Sequence, residues 1–212
     1  MFKIALLLVV ALVAGVHSHG RLMRPASRSS VWRVPEFQSF NPPPNWNDNE
    51  LFCGARHQPV NPGTDCGVCG DPINAPTPRP NEMGGQFYRG IITGRYSAGQ
   101  IIDIDIDMTQ YHRGFMEFRL CTTPGNGAGE TQACFNQNLL QRADGGGSRT
   151  EVTRTGWYHM RYRLPANVRC ARCVLQWNYR AGNNWGQCPD GSGALGCGPQ
   201  ETFRGCSDVT IN

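Results

Sequence analysis

Residues 100–108 read QIIDIDIDM, and this stretch decides the fold class. Ile102, Ile104, Ile106 and Met108 fall on one side of an extended chain, and Asp103, Asp105 and Asp107 on the other. A period of two belongs to a β-strand with one buried and one solvated face; a helix would scatter the same residues around its axis. Four further stretches have the same character: GFMEFRLC (114–121), GWYHMRYRL (156–164), CVLQWNY (173–179) and CSDVTIN (206–212). Gly- and Asn-rich turns separate them, and only residues 134–140 hint at a helix. Short strands with loop-rich joins and no strand–helix–strand rhythm predict an all-β chain. The expected form is an antiparallel sandwich of the immunoglobulin/fibronectin-III-like kind.

Upstream of residue 100 the pattern is different. FNPPPNWNDNE (40–50) and NAPTPRPNEMGG (74–85) cannot be helix interiors, because proline lacks the backbone donor and clashes with the preceding turn. Residues 19–95 therefore read as long ordered loops, pinned by Cys53, Cys66 and Cys69. The ten cysteines at 53, 66, 69, 121, 134, 170, 173, 188, 197 and 206 form an even set, which in a secreted chain implies five disulfides of undetermined pairing. Cys66/Cys69 and Cys170/Cys173 have the CxxC spacing of a zinc ribbon. An oxidising compartment works against the four thiolates such a site needs.

The compartment is read from the N-terminus. Lys3 is followed by the apolar run IALLLVVALVAGV (4–16) and by small residues at Val16 and Ser18. This run is short for a membrane span and has the pattern of a secretory signal cleaved after Ser18. Residues 1–18 are the expected signal peptide, and residues 19–212, 194 residues by subtraction, a single soluble domain. The protein is expected outside the cell as a monomer. No second apolar stretch, lipid-anchor signal or further module is expected. The formal charge of +4 falls to +3 without Lys3, the only lysine, and the arginines are scattered. No basic stripe with interleaved aromatics occurs, so neither nucleic acid nor a membrane is an expected partner.

Cleavage after Ser18 gives His19 a chemistry that no internal histidine has. Its α-amine and Nδ1 can close a chelate ring on one metal, and a second imidazole then completes three nitrogens in a T shape. That set suits the tetragonal nitrogen ligation copper prefers. The α-amine titrates near pH 8, so a metal displaces its proton readily. The other histidines of residues 19–212 are His57, His112 and His159. His112, in TQYHRGFMEFRLC, stands where a loop enters a strand, which fixes a ring while leaving it open to solvent. His159 lies within a strand and is expected packed or solvent-facing; His57, in a Pro-rich loop, is expected structural or exposed.

Several stretches carry a resemblance: HGRLMRPASRSSVWR, DNELFCGA, DCGVCGD, YHRGFMEFRLC, CVLQWNYRAGNNWGQC and LGCGPQETFRGCSDVTI, in this order across nearly all of residues 19–212. Together they resemble the lytic polysaccharide monooxygenases, specifically the animal group of auxiliary activity family 15. The resemblance implies one copper held by a histidine brace, the His19 amine and ring plus the His112 ring, and an external electron donor. It implies that O2 or H2O2 is used to hydroxylate C1 or C4 of a β-1,4-linked sugar, after which the hydroxylated carbon expels its neighbour. It also places an aromatic on the axial side of the metal. Phe203 matches that position, five residues before Asp208, and phenylalanine blocks a ligand site rather than filling it. Gln176, in LQW, is a candidate polar neighbour of the metal. Where members commonly carry a small alanine two residues before the second histidine, this chain has Gln110. An insoluble polysaccharide is the implied substrate, chitin ahead of cellulose because the group is animal, with stacking contacts from aromatics such as Trp46, Tyr111 or Trp185.

Two other classes compete. A glycoside hydrolase needs two opposed carboxylates, whereas Asp103, Asp105 and Asp107 share one strand face; a GxSxG nucleophile is absent. The stronger alternative is a chitin-binding or cuticle-associated copper protein without catalysis, favoured if the His19 amine is blocked. Copper handling without polysaccharide is a weaker third.

Overall fold

The alternation of residues 100–108 is realised as the central strand of one sheet. The computed structural model describes residues 19–53, 66–122 and 130–212. The expected signal peptide and His57 lie outside them. The strands are β1 (His19–Arg24), β2 (Gly94–Tyr96), β3 (Ile101–Gln110), β4 (Phe115–Cys121), β5 (Gln141–Arg142) and β6 (Thr150–Glu151). After these come β7 (Gly156–Arg163), β8 (Cys170–Arg180), β9 (Trp185–Gln187), β10 (Gly193–Leu195) and β11 (Thr202–Ile211). Two sheets, ordered β1-β3-β7-β5 and β2-β11-β8-β4-β6, form the sandwich, and β9 and β10 make a separate hairpin. Pairing is antiparallel except between β2 and β11. The helix hinted at 134–140 is the single turn and a half α1 (Gln132–Asn136), capped by the Thr131 hydroxyl accepting from the Cys134 N–H.

The two inner faces meet as the alternation requires. Ile102, Ile104, Ile106 and Met108 of β3 are buried against Met116, Phe118 and Leu120 of β4 and Leu175, Trp177 and Tyr179 of β8. Burying side chains of this size contributes roughly 1.5–3 kcal/mol each. On the outer face, Asp107 pairs with Arg21, Asp105 with Arg24 and His159, and Asp103 with Arg24. These carboxylates are a salt-bridged sheet surface, not an opposed catalytic pair.

The expectation of loops throughout residues 19–95 needs correction. His19–Arg24 is a strand, β1, hydrogen-bonded to β3, and Val31–Arg33 and Pro35–Phe40 are 3-10 turns. Only Leu22 of β1 is a large apolar residue turned into the core, too little to register as alternation. Apart from Gly94 and Arg95, which begin β2, the rest of the segment's described residues are loop, and side-chain bonds hold them down. Arg28 forms a two-point contact with Asp208, 2.8 Å from each carboxylate oxygen, and also binds Glu130. Burial lowers the guanidinium pKa, but its bonds to Asp208 and Glu130 outweigh that and raise it above the ordinary arginine value.

All ten cysteines are paired: 53–66, 69–206, 121–134, 170–173 and 188–197. This leaves no thiolate for a zinc ribbon. Cys69–Cys206 spans 137 residues and ties the N-terminal loops to β11. On chain entropy alone a closure that long contributes about 5 kcal/mol. Among the described residues no helix is long and apolar enough to cross a membrane.

Candidate metal centre

The second histidine is placed by a turn that most residues cannot make. β3 ends at Gln110; after Tyr111 and His112, Arg113 and Gly114 both take left-handed backbone angles, with φ of 57° and 76°. A Cβ at Gly114 would lie 2.0 Å from the Arg180 carbonyl oxygen, so only glycine fits there. The turn is fastened onto the end of β8. The His112 N–H donates to the Tyr179 hydroxyl at 2.9 Å, and that hydroxyl donates to the Arg113 carbonyl at 2.7 Å. The His112 carbonyl accepts the Gly182 N–H at 2.8 Å.

The ring so placed is 5 % exposed. Its Nδ1 lies 3.2 Å from Glu201 Oε2 and 3.0 Å from the Asn183 side-chain amide. Its Nε2 is buried and has no hydrogen-bond partner, and the Asn183 carbonyl oxygen is likewise buried without one. A carboxylate can only accept, so the Glu201 contact is satisfied with the proton on Nδ1. Nε2 is then a bare lone pair, an orphan that costs about 1–3 kcal/mol unless another group takes it.

His19 stands at the same end of the sandwich. β1 lies against β3 with His19 directly across from Gln110, two residues before His112. The Gly20 N–H donates to the Asn49 carbonyl at 2.9 Å, and a Cβ at Gly20 would come within 3.0 Å of the Trp177 ring, so β1 sits hard on the core. The His19 Nε2 lies 3.2 Å from Glu50 Oε1. That contact is on the far ring nitrogen; Nδ1 is the nitrogen on the side of the residue's own main-chain amine. A buried imidazole with an orphaned Nε2, at the same end of the sandwich as a second histidine, offers nitrogen donors of the kind copper prefers.

The other singled-out residues divide. Phe203 is buried, stacked on Tyr179 with ring centroids 5.7 Å apart and tilted against Phe52 at 6.1 Å. It therefore adjoins the tyrosine that holds the His112 turn. Gln176 does not join them. It faces away from Trp177 and Tyr179 and donates to the Val68 carbonyl at 2.8 Å and to Gln132 at 3.1 Å, bridging β8 to a loop and α1. Strand parity explains this, since residues 176 and 179 of one strand point to opposite faces. His159 is solvent-facing, bonded to Asp105 at 2.8 Å and stacked on Trp157. Tyr111 and Trp185 are exposed beside His112 and Asn183, and Trp46 is exposed on the loop that carries Glu50. The residues that sequence reading passed over are Glu50, Asn183 and Glu201. Both glutamates lie in resemblance stretches, DNELFCGA and GPQETFRGC, but only the folded chain brings them to the histidines.

The two packed sheets form a β-sandwich, and β1 and the turn after β3 bring His19 and His112 to one end of it. The chain belongs to the lytic polysaccharide monooxygenases: a family model described as lytic polysaccharide mono-oxygenase, cellulose-degrading, matches residues 19–209. Within that family it is similar to the auxiliary activity family 15 enzyme of Thermobia domestica, whose structure is of the Cu(I) state. Identity is 45 %, covering 91 % of this chain and 98 % of that one, with a TM-score of 0.83. The protein is accordingly a copper-dependent polysaccharide monooxygenase that requires an external reductant. Two more distant structures share the fold. One is a lytic polysaccharide monooxygenase important for chitin utilisation in Cellvibrio japonicus, with 14 % identity, TM-score 0.56, and coverage of 91 % of this chain and 99 % of that one. The other is a chitin binding domain from Burkholderia pseudomallei, with 15 % identity, TM-score 0.55, and coverage of 92 % and 100 %. No curated protein sequence matches the chain.

Proposed function

We propose that residues 1–18 are removed as a secretory signal, that the mature protein is an extracellular monomer beginning at His19, and that it oxidises insoluble chitin. The His19 amine and Nδ1 and the His112 Nε2 hold the copper. Copper bound there supplies the one-electron chemistry that, with a reductant and O2 or H2O2, hydroxylates a C–H bond at C1 or C4 of the sugar. The protein's own residues do the rest. Tyr179 and Gly182 fix the His112 main chain, β3 fixes β1, and the Phe203 ring, stacked on Tyr179, would offer a copper held there carbon rather than a ligand. Tyr111 and Trp185, exposed beside the site, present flat faces on which successive pyranose rings can stack.

The observation that carries this reading is the orphaned His112 Nε2 at the rim that β1 also reaches. Chitin is preferred to cellulose on the resemblance to the animal group. The test incubates copper-loaded protein, with His19 verified as N-terminus, on chitin and on cellulose with ascorbate, and analyses the products by mass spectrometry. Oxidised chito-oligosaccharides that depend on the reductant are expected. Oxidised cello-oligosaccharides alone would overturn the choice of substrate. No oxidised product from either would favour the non-catalytic chitin-binding alternative.

A further inference from the structure

The two histidines lie 93 positions apart in the chain, yet each has one ring nitrogen on a glutamate. His19 Nε2 is 3.2 Å from Glu50, and His112 Nδ1 is 3.2 Å from Glu201. The two contacts are complementary in chemistry. Glu50 contacts Nε2, whereas Nδ1 is the ring nitrogen of His19 that can chelate together with its own amine. Glu201 engages Nδ1 and leaves Nε2, the nitrogen of His112 that is orphaned. A carboxylate that accepts the proton from the nitrogen that does not bind would select the tautomer that a brace needs.

The glutamates also come from segments bonded to each other. The Cys53 N–H donates to the Thr202 carbonyl and the Arg204 N–H to the Leu51 carbonyl, at 3.0 and 3.2 Å. Phe52 and Phe203, each two residues after its glutamate, form a β-bridge. The Ala181 N–H holds the Glu201 carbonyl at 2.9 Å. One small backbone ladder at the start of β11 therefore delivers both carboxylates.

From this, and resting on the histidine-brace reading, we propose that Glu50 and Glu201 are positioning residues for the copper ligands. They lock the two imidazoles in opposite tautomers and, as hydrogen-bonded carboxylates, make both rings better donors to Cu(II). Partners of this kind typically change metal affinity by about 10–100-fold when removed. Glu201 has the larger effect, because its side chain is 25 % exposed against 51 % for Glu50, and the ring it holds is the more buried.

The test compares protein beginning at His19 with Glu201→Gln, Glu201→Ala, Glu50→Gln and Glu50→Ala. Cu(II) affinity is measured by calorimetric competition, the electron paramagnetic resonance spectrum is recorded, and metal-free melting curves report folding. The alanine variants are expected to lose affinity, Glu201→Ala by about 10–100-fold, with altered copper and nitrogen hyperfine couplings and unchanged metal-free melting. The glutamine variants, which keep an acceptor oxygen without the charge, should fall between alanine and wild type. If a Glu201 variant fails to fold, the half-exposed Glu50 pair still decides the matter. Wild-type affinity and spectra in the folded variants would overturn the positioning role while leaving the brace intact. Absence of tight copper binding by the wild type would instead overturn the brace, and this inference with it.

Discussion

Gln110 is the cross-strand partner of His19, so the two side chains share one face of the β1–β3 pair at the rim of the sandwich. The resemblance implies a small alanine at this position. Gln110 is half-buried, and its amide stands beside the residue whose amine and ring are assigned to copper. Gln110→Ala should leave copper affinity unchanged and raise reductant-driven O2 consumption several-fold by opening the approach. Oxygen-electrode rates on the copper-loaded variant check this; an unchanged rate would show that Gln110 does not restrict access.

Gly114→Ala should damage the site through the backbone. The substitution places a Cβ against the Arg180 carbonyl and penalises the left-handed angle, at a cost of about 1–3 kcal/mol before any clash is relieved. A lower melting temperature together with weaker copper binding is expected, because the same turn holds His112. Thermal melts and a copper titration on one sample report both.

Arg28→Met should destabilise far more than an ordinary surface change. Asp208 and Glu130, whose side chains are 2 % and 1 % exposed, would lose the cation that pairs them. Removing one partner of a buried ion network costs about 3–5 kcal/mol, which for a domain of this size lowers the melting temperature by on the order of 10 °C. Differential scanning calorimetry measures it directly.

Alkaline stability follows from Tyr96. Burial pushes its phenol up to about 12 from the ordinary 10, with Arg24 lowering it and Asp103 raising it. The unfolded chain therefore loses this proton at a lower pH than the folded one. The stabilisation is complete below pH 10 and is lost as pH rises through 12, amounting to about 2–3 kcal/mol. In Tyr96→Phe, unfolding free energy should fall less steeply over that interval than in wild type, as denaturant titrations at stepped pH would show.

The sandwich was legible because β3, β4, β7, β8 and β11 each carry enough alternating apolar residues to announce a buried face. β1 was not, since HGRLMR turns only one large apolar residue inward and is held mainly by its ladder to β3. His19 and His112 stood out as types in telling places: one next to an expected cleavage point, the other where a loop enters a strand. Their supporting carboxylates could not be found that way. Glu50 and Glu201 are 151 positions apart, and only the ladder between residues 51–53 and 202–204 brings them together. Gln176 shows the converse limit: a polar residue in a matching stretch drew notice, but its strand parity turns it toward Val68 and Gln132.

The most direct measurement is a calorimetric titration of Cu(II) into two preparations, one beginning at His19 and one carrying a single additional residue before it. The brace predicts one tight site in the first and an affinity lower by orders of magnitude in the second, since the extra residue turns the chelating amine into an amide. Equal affinity in the two preparations would contradict it.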